Sequence, residues 1–328
     1  MIAKTLLWWG LLSAGAVVLA GPETPKPSTL DSLPPLPEEP VPGAREDWLI
    51  VPGARKSGVY RGAHPQEIVM TNGLIRRTWR LAPNAATVGF DNLASGEALL
   101  RGVKPEARLQ LDGKDYAIGG LNGQPDYAYL RPEWLDAMTA DPAAFGFTGF
   151  QTGKTRERLA WKRVRYAADL PWPPPGASLV LHFKAPRESG LDKLSVSVHY
   201  EMYDGIPLLC KWLTVTNGGS KPVRLQKLAS EILAVVESES VVESPALWQR
   251  PNLYVESDYT FCGMASSGGN QTTRWLPDPQ YTTQVNYELT TPCLLESRPP
   301  PTPRSSRRPS TSAPRSASRW SSSASAAG

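Results

Sequence analysis

Cysteine is scarce in this chain of 328 residues, which contains only Cys210, Cys262 and Cys293. The number is odd and none of the three has the spacing of metal ligands, so a disulfide framework is excluded. At most one internal disulfide can form, and we expect three small, buried, apolar side chains. No apolar run reaches the ~18 residues that span a bilayer, which excludes a multi-pass membrane protein. Glycine and proline follow no triplet period, which excludes collagen.

The motifs that bind metals and nucleotides are also missing. The three histidines lie more than 15 residues apart and none belongs to an H-x-x-x-H array, so we expect no metal site. The sequence has no G-x-S-x-G, P-loop or G-x-G-x-x-G motif. Gly149–Thr155 is one residue short of a phosphate-binding loop and no clear helix follows it, so we interpret it as an ordinary turn. We therefore expect no metal and no cofactor.

Acidic residues are absent from the end of the chain. Residues 297–328 contain six arginines and no Asp or Glu, and removing these six charges from the net charge of +4 leaves −2 for residues 1–296. The basic character therefore belongs to the C-terminal tail. The rest of the chain gives no electrostatic reason to expect nucleic acid as a partner.

The first 20 residues have the pattern of an export signal peptide. Lys4 supplies the positive charge, Thr5–Leu19 is apolar, and Val18 and Ala20 place small residues at the −3 and −1 positions. The pattern predicts export to the periplasm or the medium, cleavage after Ala20, and no transmembrane segment afterwards. Residues 21–46 then form a proline-rich linker, because this composition favours an extended spacer over a packed core.

Residues 47–297 carry short apolar segments with turns every 8–12 residues. This spacing predicts an all-β fold, an antiparallel two-layer β-supersandwich with a disordered N-terminal linker and a disordered C-terminal tail. Asn72-Gly73 and Asp112-Gly113 predict tight hairpins. Apolar and polar residues alternate over Leu194–Tyr203, which predicts a half-buried strand. Only Pro132–Met138 looks helical, with Pro132 at a plausible first position.

Further strands are predicted beyond this one. Ile206–Thr216 is an apolar strand, and we place its Trp212 in the core. Pro222–Leu228 and Glu231–Glu237 are predicted as two more strands. His199 lies on the polar face of its strand, which predicts an exposed imidazole. Glu256 and Asp258 share one strand face, but we interpret them as solvated residues and not as a glycosidase pair.

The tail, residues 298–328, is built from only seven residue types and has no Leu, Val or Ile. Such a segment cannot offset the entropy of ordering, which predicts low-complexity disorder. A basic arm for anionic surfaces is one interpretation. Because the composition changes abruptly after Glu296, we also hypothesise a shift of the reading frame near Arg298.

One segment resembles a known family. Its parts are Tyr200–Leu209 (YEMYDGIPLL), Trp212–Gly219, Pro222–Leu225 and Ser230–Leu233. Together they resemble the N-terminal β-supersandwich of α-galactosidases of glycoside hydrolase family 36 and related clans. There a strand "YE.YDG.P.L" leads to "W..V.N.GS.PV.L" and then to a Ser-containing strand. The resemblance is sharp over Tyr200–Glu237 and extends in architecture over residues 60–290. Other carbohydrate-active sandwiches, including mutarotase-like ones, share the same type of sheet.

A second similarity lies in Gln271–Pro279, which is similar to the polar "SSH..NP" loop through which such sandwiches meet their barrel. The spacing is one residue longer here, and Arg274 and Asp278 replace the usual His and Asn. Aromatic faces stack on sugar rings, so Trp275, with Asp278 and Tyr281, is our candidate for a sugar-facing or barrel-facing patch. Three tryptophans lie in proline-containing loops, where sandwiches present ligand contacts: Trp172, Trp248 and Trp275.

The family resemblance implies a three-part enzyme of sandwich, (β/α)₈ barrel and C-terminal sheet domain, whose barrel supplies two catalytic Asp residues. This chain has no alternating ~30-residue βαβ units. We therefore expect a non-catalytic sandwich domain of an exported α-galactosidase-like glycoside hydrolase that stops at or before the barrel. Its expected partners are that barrel and a galactoside-type carbohydrate, and whether the chain is itself an enzyme is left open. The alternatives are a stand-alone carbohydrate-binding or mutarotase-like module and an exported structural sandwich without sugar affinity.

Overall fold

The computed structural model describes residues 27–38, 48, 55–158, 171–236, 253–257, 273–296 and 324–327. Every strand ladder within these ranges is antiparallel, which confirms the predicted all-β fold. The helices described are three short 3₁₀ segments at Leu30–Ser32, Pro132–Ala137 and Arg187–Ser189, and the second confirms the predicted helical turn. None of the helices in these ranges is long and apolar enough to cross a membrane. The predicted export signal and the residues Trp248, Asp258 and Cys262 lie outside these ranges.

The first sheet is a meander of five strands in chain order. Its strands are β1 Gly58–Arg61, β2 Glu67–Thr71, β3 Ile75–Arg80, β4 Ala86–Asn92 and β5 Glu97–Ala98. The predicted hairpin at Asn72-Gly73 is confirmed between β2 and β3. Gly73 has a φ of 76°, which a residue without Cβ adopts easily. The Asn72 side chain accepts hydrogen bonds from the backbone N–H groups of Leu74 and Ile75, which fixes the turn.

The second sheet has six strands in the order β14-β17-β12-β11-β10-β9. Its strands are β9 Gly146–Lys154, β10 Gly176–Lys184, β11 Leu194–Tyr203, β12 Leu208–Asn217, β14 Tyr254–Ser257 and β17 Ala324–Ala327. The alternation predicted for β11 is confirmed from Leu194 to Tyr200, and its five apolar residues from Leu194 to Met202 are each 2% exposed or less; Glu201 and Tyr203, predicted on the polar face, are buried as well. Strand β17 belongs to the predicted tail and pairs with β12 and β14. The other residues of that tail lie outside the described ranges.

The third sheet has the order β15-β16-β13-β7-β8, and β6 pairs with β13 as well. Its strands are β6 Leu100–Gly102, β7 Ala107–Leu111, β8 Lys114–Ile118, β13 Arg224–Val235, β15 Thr273–Asp278 and β16 Tyr281–Glu296. The hairpin at Asp112-Gly113 is confirmed, with φ values of 47° and 83°, both positive as a type I′ turn requires. The two strands predicted over 222–237 are instead one strand, β13. Two register shifts, at 225/227 and 229/231, absorb the irregular pattern.

One hydrophobic core joins the three sheets. It contains Trp79 from the first sheet, Leu179 and Val198 from the second, and Leu109 and Leu233 from the third. Each sheet therefore buries one face against the others, which is how an antiparallel sheet removes its apolar side chains from water.

Part of the predicted linker packs on this sandwich. Ser28 N–H donates to the Phe150 carbonyl of β9 at 2.9 Å, and Arg61 N–H of β1 donates to the Pro34 carbonyl at 2.9 Å. Between these contacts Leu33 is 5% exposed and belongs to the main core. Since β1 and β9 are the edge strands of two different sheets, residues 27–38, here called the strap, cover two open edges. Composition did not predict this, because only two leucines among the prolines, Leu30 and Leu33, make the apolar contacts with the core.

Candidate functional site

Four charged residues meet where the three sheets join. Arg77 comes from β3, Lys211 from β12, Glu231 from β13, and Glu106 precedes β7. Each is 5% exposed or less, and we call these four residues the junction cluster. Two cations and two anions make the cluster neutral in formal charge, as a buried ionic group must nearly be.

Strand parity brings Lys211 inward. Leu209, Lys211 and Leu213 share the buried face of β12, so Trp212 points to the other face and is only half-buried. The prediction of Trp212 as a core residue was therefore wrong. The apolar run of β12 has no alternation that could fix its register, and the partners of Lys211 lie far away in sequence. Trp212 instead stacks on His199, with ring centroids 4.9 Å apart and planes 5° apart.

Arg77 and Lys211 both bind Glu231. Arg77 makes a bidentate pair with this carboxylate, with Nη1–Oε2 at 2.6 Å and Nη2–Oε1 at 3.1 Å. Lys211 Nζ donates to Glu231 Oε1 at 2.7 Å. Bidentate arginine pairs are the strongest class of charge-assisted hydrogen bond and also fix orientation. Glu231 therefore ties β13 to β3 and to β12.

Neutral groups donate the hydrogen bonds to the Glu106 carboxylate, and Arg77 Nη2 and Lys211 Nζ each lie 3.7 Å from its Oε2. Its Oε1 accepts from Thr87 N at 2.5 Å and from Thr87 Oγ1 at 2.8 Å. Its Oε2 accepts from Trp79 Nε1 at 3.3 Å and from the Tyr200 hydroxyl. Its backbone carbonyl accepts from Lys211 Nζ at 2.5 Å. Donors from the first and second sheets thus converge on this residue, which directly precedes β7 of the third sheet.

Burial and charge act against each other on the pKa values of the cluster. Burial lowers the pKa of Lys211, and attraction to Glu231 and Glu106 offsets only part of that effect. Burial alone would raise the pKa of Glu231, but Arg77 and Lys211 hold it below its usual value. Burial, reinforced by Glu106, raises the pKa of Tyr200 well above its usual value. Glu231 is therefore ionised and Tyr200 is a neutral donor at neutral pH.

The junction cluster cannot act on a sugar. A glycosidase pair must reach a glycosidic bond, and a hydrolytic water must reach the same place. Here both carboxylates are sealed in the core, and the gap beside them, lined by Arg77, Thr87 and Lys104 among others, leaves no room for a water molecule. We therefore assign the cluster the role of fastening the three sheets together.

A second charged group surrounds Asp278, one of the residues that the sequence analysis selected. Asp278 ends β15 and is 0% exposed. Its Oδ1 accepts from Lys104 Nζ at 2.8 Å and from Gln280 N at 3.0 Å, and its Oδ2 accepts from Arg101 Nη1 at 3.0 Å. Burial alone would raise the pKa of Asp278, but the hydrogen bond from Lys104 and the other donors hold it below its usual value.

This group reaches the surface through Gln280 and Tyr127. Lys104 Nζ also donates to Gln280 Oε1 at 2.6 Å, and Gln280 Nε2 donates to the Tyr127 hydroxyl at 2.8 Å. Lys104 Nζ lies 5.1 Å from the centroid of the Tyr127 ring. We call Arg101, Lys104, Tyr127, Asp278 and Gln280 the Asp278 cluster. It joins the β15–β16 turn to β6 and to the loop that follows β8.

The structure brings two of the three selected residues together. Arg101 binds Asp278 and lies 5.8 Å from the centroid of the Tyr281 ring. Trp275 lies on the same hairpin, where its backbone is paired with Tyr287. A fully buried carboxylate that binds two cations has a structural role, so Asp278 holds the hairpin in place. Contact of Trp275 and Tyr281 with a sugar or a barrel stays a prediction.

Other sequence interpretations can be placed as well. Gly149–Lys154 is part of strand β9 and not a turn, because its backbone continues the ladder with β10. His199 is half-buried, and its Nε2 lies 3.0 Å from Thr214 Oγ1. Among the described residues no group of three or more His, Cys, Asp and Glu side chains is arranged to hold a metal ion. Arg101, Lys104 and Tyr127 were not predicted from the sequence: Tyr127 lies in an aromatic-rich loop, and no local pattern marks Arg101 or Lys104.

No protein-family model and no curated protein sequence matches the chain. Among solved structures it is similar to the crystal structure of the alpha-galactosidase from Lactobacillus brevis, with 12% sequence identity and a TM-score of 0.39. The match covers 84% of this chain and 40% of the length of that chain. The β-sandwich assignment rests on the strand pairings described above.

Proposed function

We propose that the chain is a non-catalytic sandwich domain of an exported α-galactosidase-like glycoside hydrolase, and that it packs beside a (β/α)₈ catalytic barrel. The observation that carries the proposal is the sequence resemblance over Tyr200–Glu237. In the structure the segment runs from the second half of β11 through β12 into β13. Strands β11 and β12 form the central pair of the second sheet, and β13 lies in the third sheet between β16 and β7.

The polar residues of that segment support a scaffold role. Asp204 Oδ1 accepts from Ser57 N and from Ser57 Oγ, both at 2.8 Å. Glu201 accepts from Arg156 N at 2.9 Å and from the Tyr203 hydroxyl at 3.1 Å. Together with Tyr200, which donates to Glu106, and with Lys211 and Glu231 of the junction cluster, these side chains bind other parts of the same domain. The resembling segment therefore builds the fold, which supports placing the chemistry on another domain.

Two measurements test this proposal. The purified chain is expected to hydrolyse p-nitrophenyl α-galactoside no faster than the buffer does. The nucleotide sequence after the Glu296 codon, read in all three frames, is expected to encode alternating strands and helices of a barrel in one of the other frames. Hydrolysis by the chain alone, or three frames without a barrel, would overturn the proposal. The second result would favour a stand-alone carbohydrate-binding or mutarotase-like module.

We also propose that the domain is exported, on the basis of residues 1–20. The expected mature protein begins at Gly21. Expression of the full chain in a bacterial host, followed by cell fractionation and N-terminal sequencing, tests this. Recovery of the protein in the cytoplasm with Met1 intact would contradict it.

A further inference from the structure

An aromatic surface lies on the loop between β8 and β9. Tyr129 is 47% exposed, and its ring centroid lies 5.3 Å from that of Trp134 with the planes 35° apart. The Arg131 guanidinium lies 5.5 Å from the centroid of the Tyr129 ring and 5.8 Å from that of Trp134. We call Tyr129, Arg131 and Trp134 the aromatic surface. A ring this open to water leaves apolar area that a ligand can cover.

Two anchors hold this surface in place. The Gln124 amide Nε2 donates to the Tyr129 carbonyl at 3.1 Å and to the Arg101 carbonyl at 2.9 Å, which ties the loop to β6. Trp134 belongs to a short 3₁₀ helix whose Leu135 is buried in a second, smaller apolar cluster. A ligand therefore finds the aromatic rings already positioned, which removes much of the ordering cost of binding.

The polar groups at the rim indicate the class of ligand. The exposed Arg131 side chain offers several N–H donors, and Glu133 Oε1 lies 3.5 Å from its Nη1 as a nearby acceptor. The Glu133 carboxylate beside Arg131 disfavours phosphate and nucleic acid. A neutral sugar suits the arrangement, because its C–H face packs on an aromatic ring while its hydroxyl groups both donate and accept.

We propose that the aromatic surface binds a neutral pyranose residue of an oligosaccharide. The surface is distinct from the patch of Trp275, Asp278 and Tyr281 that the sequence analysis selected. The geometry of the surface stands on the described contacts, whereas the choice of a galactosyl sugar as the probe rests on the proposed function.

The test is a titration of the purified full chain with raffinose, which carries a galactosyl unit, and with cellobiose, which does not. Saturable binding is expected by isothermal calorimetry or ligand-observed NMR. Tyr129→Ala is expected to weaken binding about fivefold to tenfold, the range for one aromatic contact, while Tyr129→Phe keeps the ring and stays within about twofold. Ile206→Ala is the control and is expected to leave binding unchanged, since Ile206 is an apolar side chain on another loop and is 37% exposed.

Thermal unfolding of each variant checks that the fold is intact, and Tyr129→Ala is expected to melt close to the parent because its ring is open to water. Saturable binding of either sugar with the expected loss in Tyr129→Ala supports the proposal. No saturable binding by the parent chain, or equal binding by Tyr129→Ala, would overturn it. Neither result bears on the hydrolysis assay or the reading frames, so failure here is distinguishable from failure of the proposed function.

Discussion

Removing the charge of Glu231 tests the role of the junction cluster directly. Glu231→Gln keeps the size of the side chain but leaves Arg77 and Lys211, both buried, with Glu106 as the only remaining carboxylate of the cluster. Breaking a buried pair on one side costs about 3–5 kcal/mol, because the surviving charge is stranded away from water. For a domain of this size, a loss of about 4 kcal/mol lowers the melting temperature by roughly 8–16 °C.

The assay is urea unfolding followed by tryptophan fluorescence and circular dichroism at pH 7. Glu188→Gln is the matched control, because Glu188 is exposed, and its expected effect is within about 0.5 kcal/mol. The double variant Glu231→Gln, Lys211→Met restores neutrality with Arg77 and Glu106. Its loss of unfolding free energy is expected to fall short of the sum of the single losses by about 1 kcal/mol or more.

Two results would refute the reasoning about charge. One is a loss below about 1 kcal/mol in Glu231→Gln, which would mean that water or a shifted proton compensates the buried cations. The other is strict additivity in the double variant, which would mean that Lys211 and Glu231 do not interact despite their 2.7 Å contact.

Asp278→Asn leaves Arg101 and Lys104 without the carboxylate that they share, so urea unfolding is expected to show a loss of about 3 kcal/mol in the free energy of unfolding. Asp192→Asn, at an exposed position, serves as the control. Equal stability of Asp278→Asn and the parent would contradict the structural role of Asp278. Leu33→Ala should lower the free energy of unfolding by about 2–3 kcal/mol, because the strap then detaches from two sheet edges. The exposed edges should also increase self-association, which light scattering measures. An unchanged melting temperature would show that the strap is not anchored. Stability should fall as the pH drops below about 4.5: the pKa values of Glu231 and Asp278 are lowered in the folded state, so the unfolded chain binds more protons in that range. Urea midpoints at pH 7, 5, 4 and 3 measure this, and a flat profile would show that these two carboxylates contribute nothing.

Local chemistry allowed the turns and one strand to be predicted from the sequence. Asn72-Gly73 and Asp112-Gly113 carry their turn geometry in their own residues, and Leu194–Tyr203 displays its buried face through strict alternation. Each of these signals spans a few residues, so a single sequence contains all the information that is needed.

The charged clusters could not be predicted in this way. Glu231 meets Arg77, 154 residues earlier, and Asp278 meets Arg101, 177 residues earlier. Trp212 lies in an apolar strand and was therefore predicted in the core, whereas Lys211 takes the inward position. Only the pairing of strands that are distant in sequence determines which of two neighbouring residues points inward.

The strap shortens the tether between the sandwich and its N-terminus. A fully extended chain covers about 3.5 Å per residue. If residues 21–46 were a free spacer, they could therefore separate the domain from Ala20 by about 90 Å. With Ser28 hydrogen-bonded to β9, only residues 21–26 are left before the strap begins, and they reach about 20 Å. If the signal peptide were retained in a membrane, the start of the strap would lie within this distance of the lipid surface.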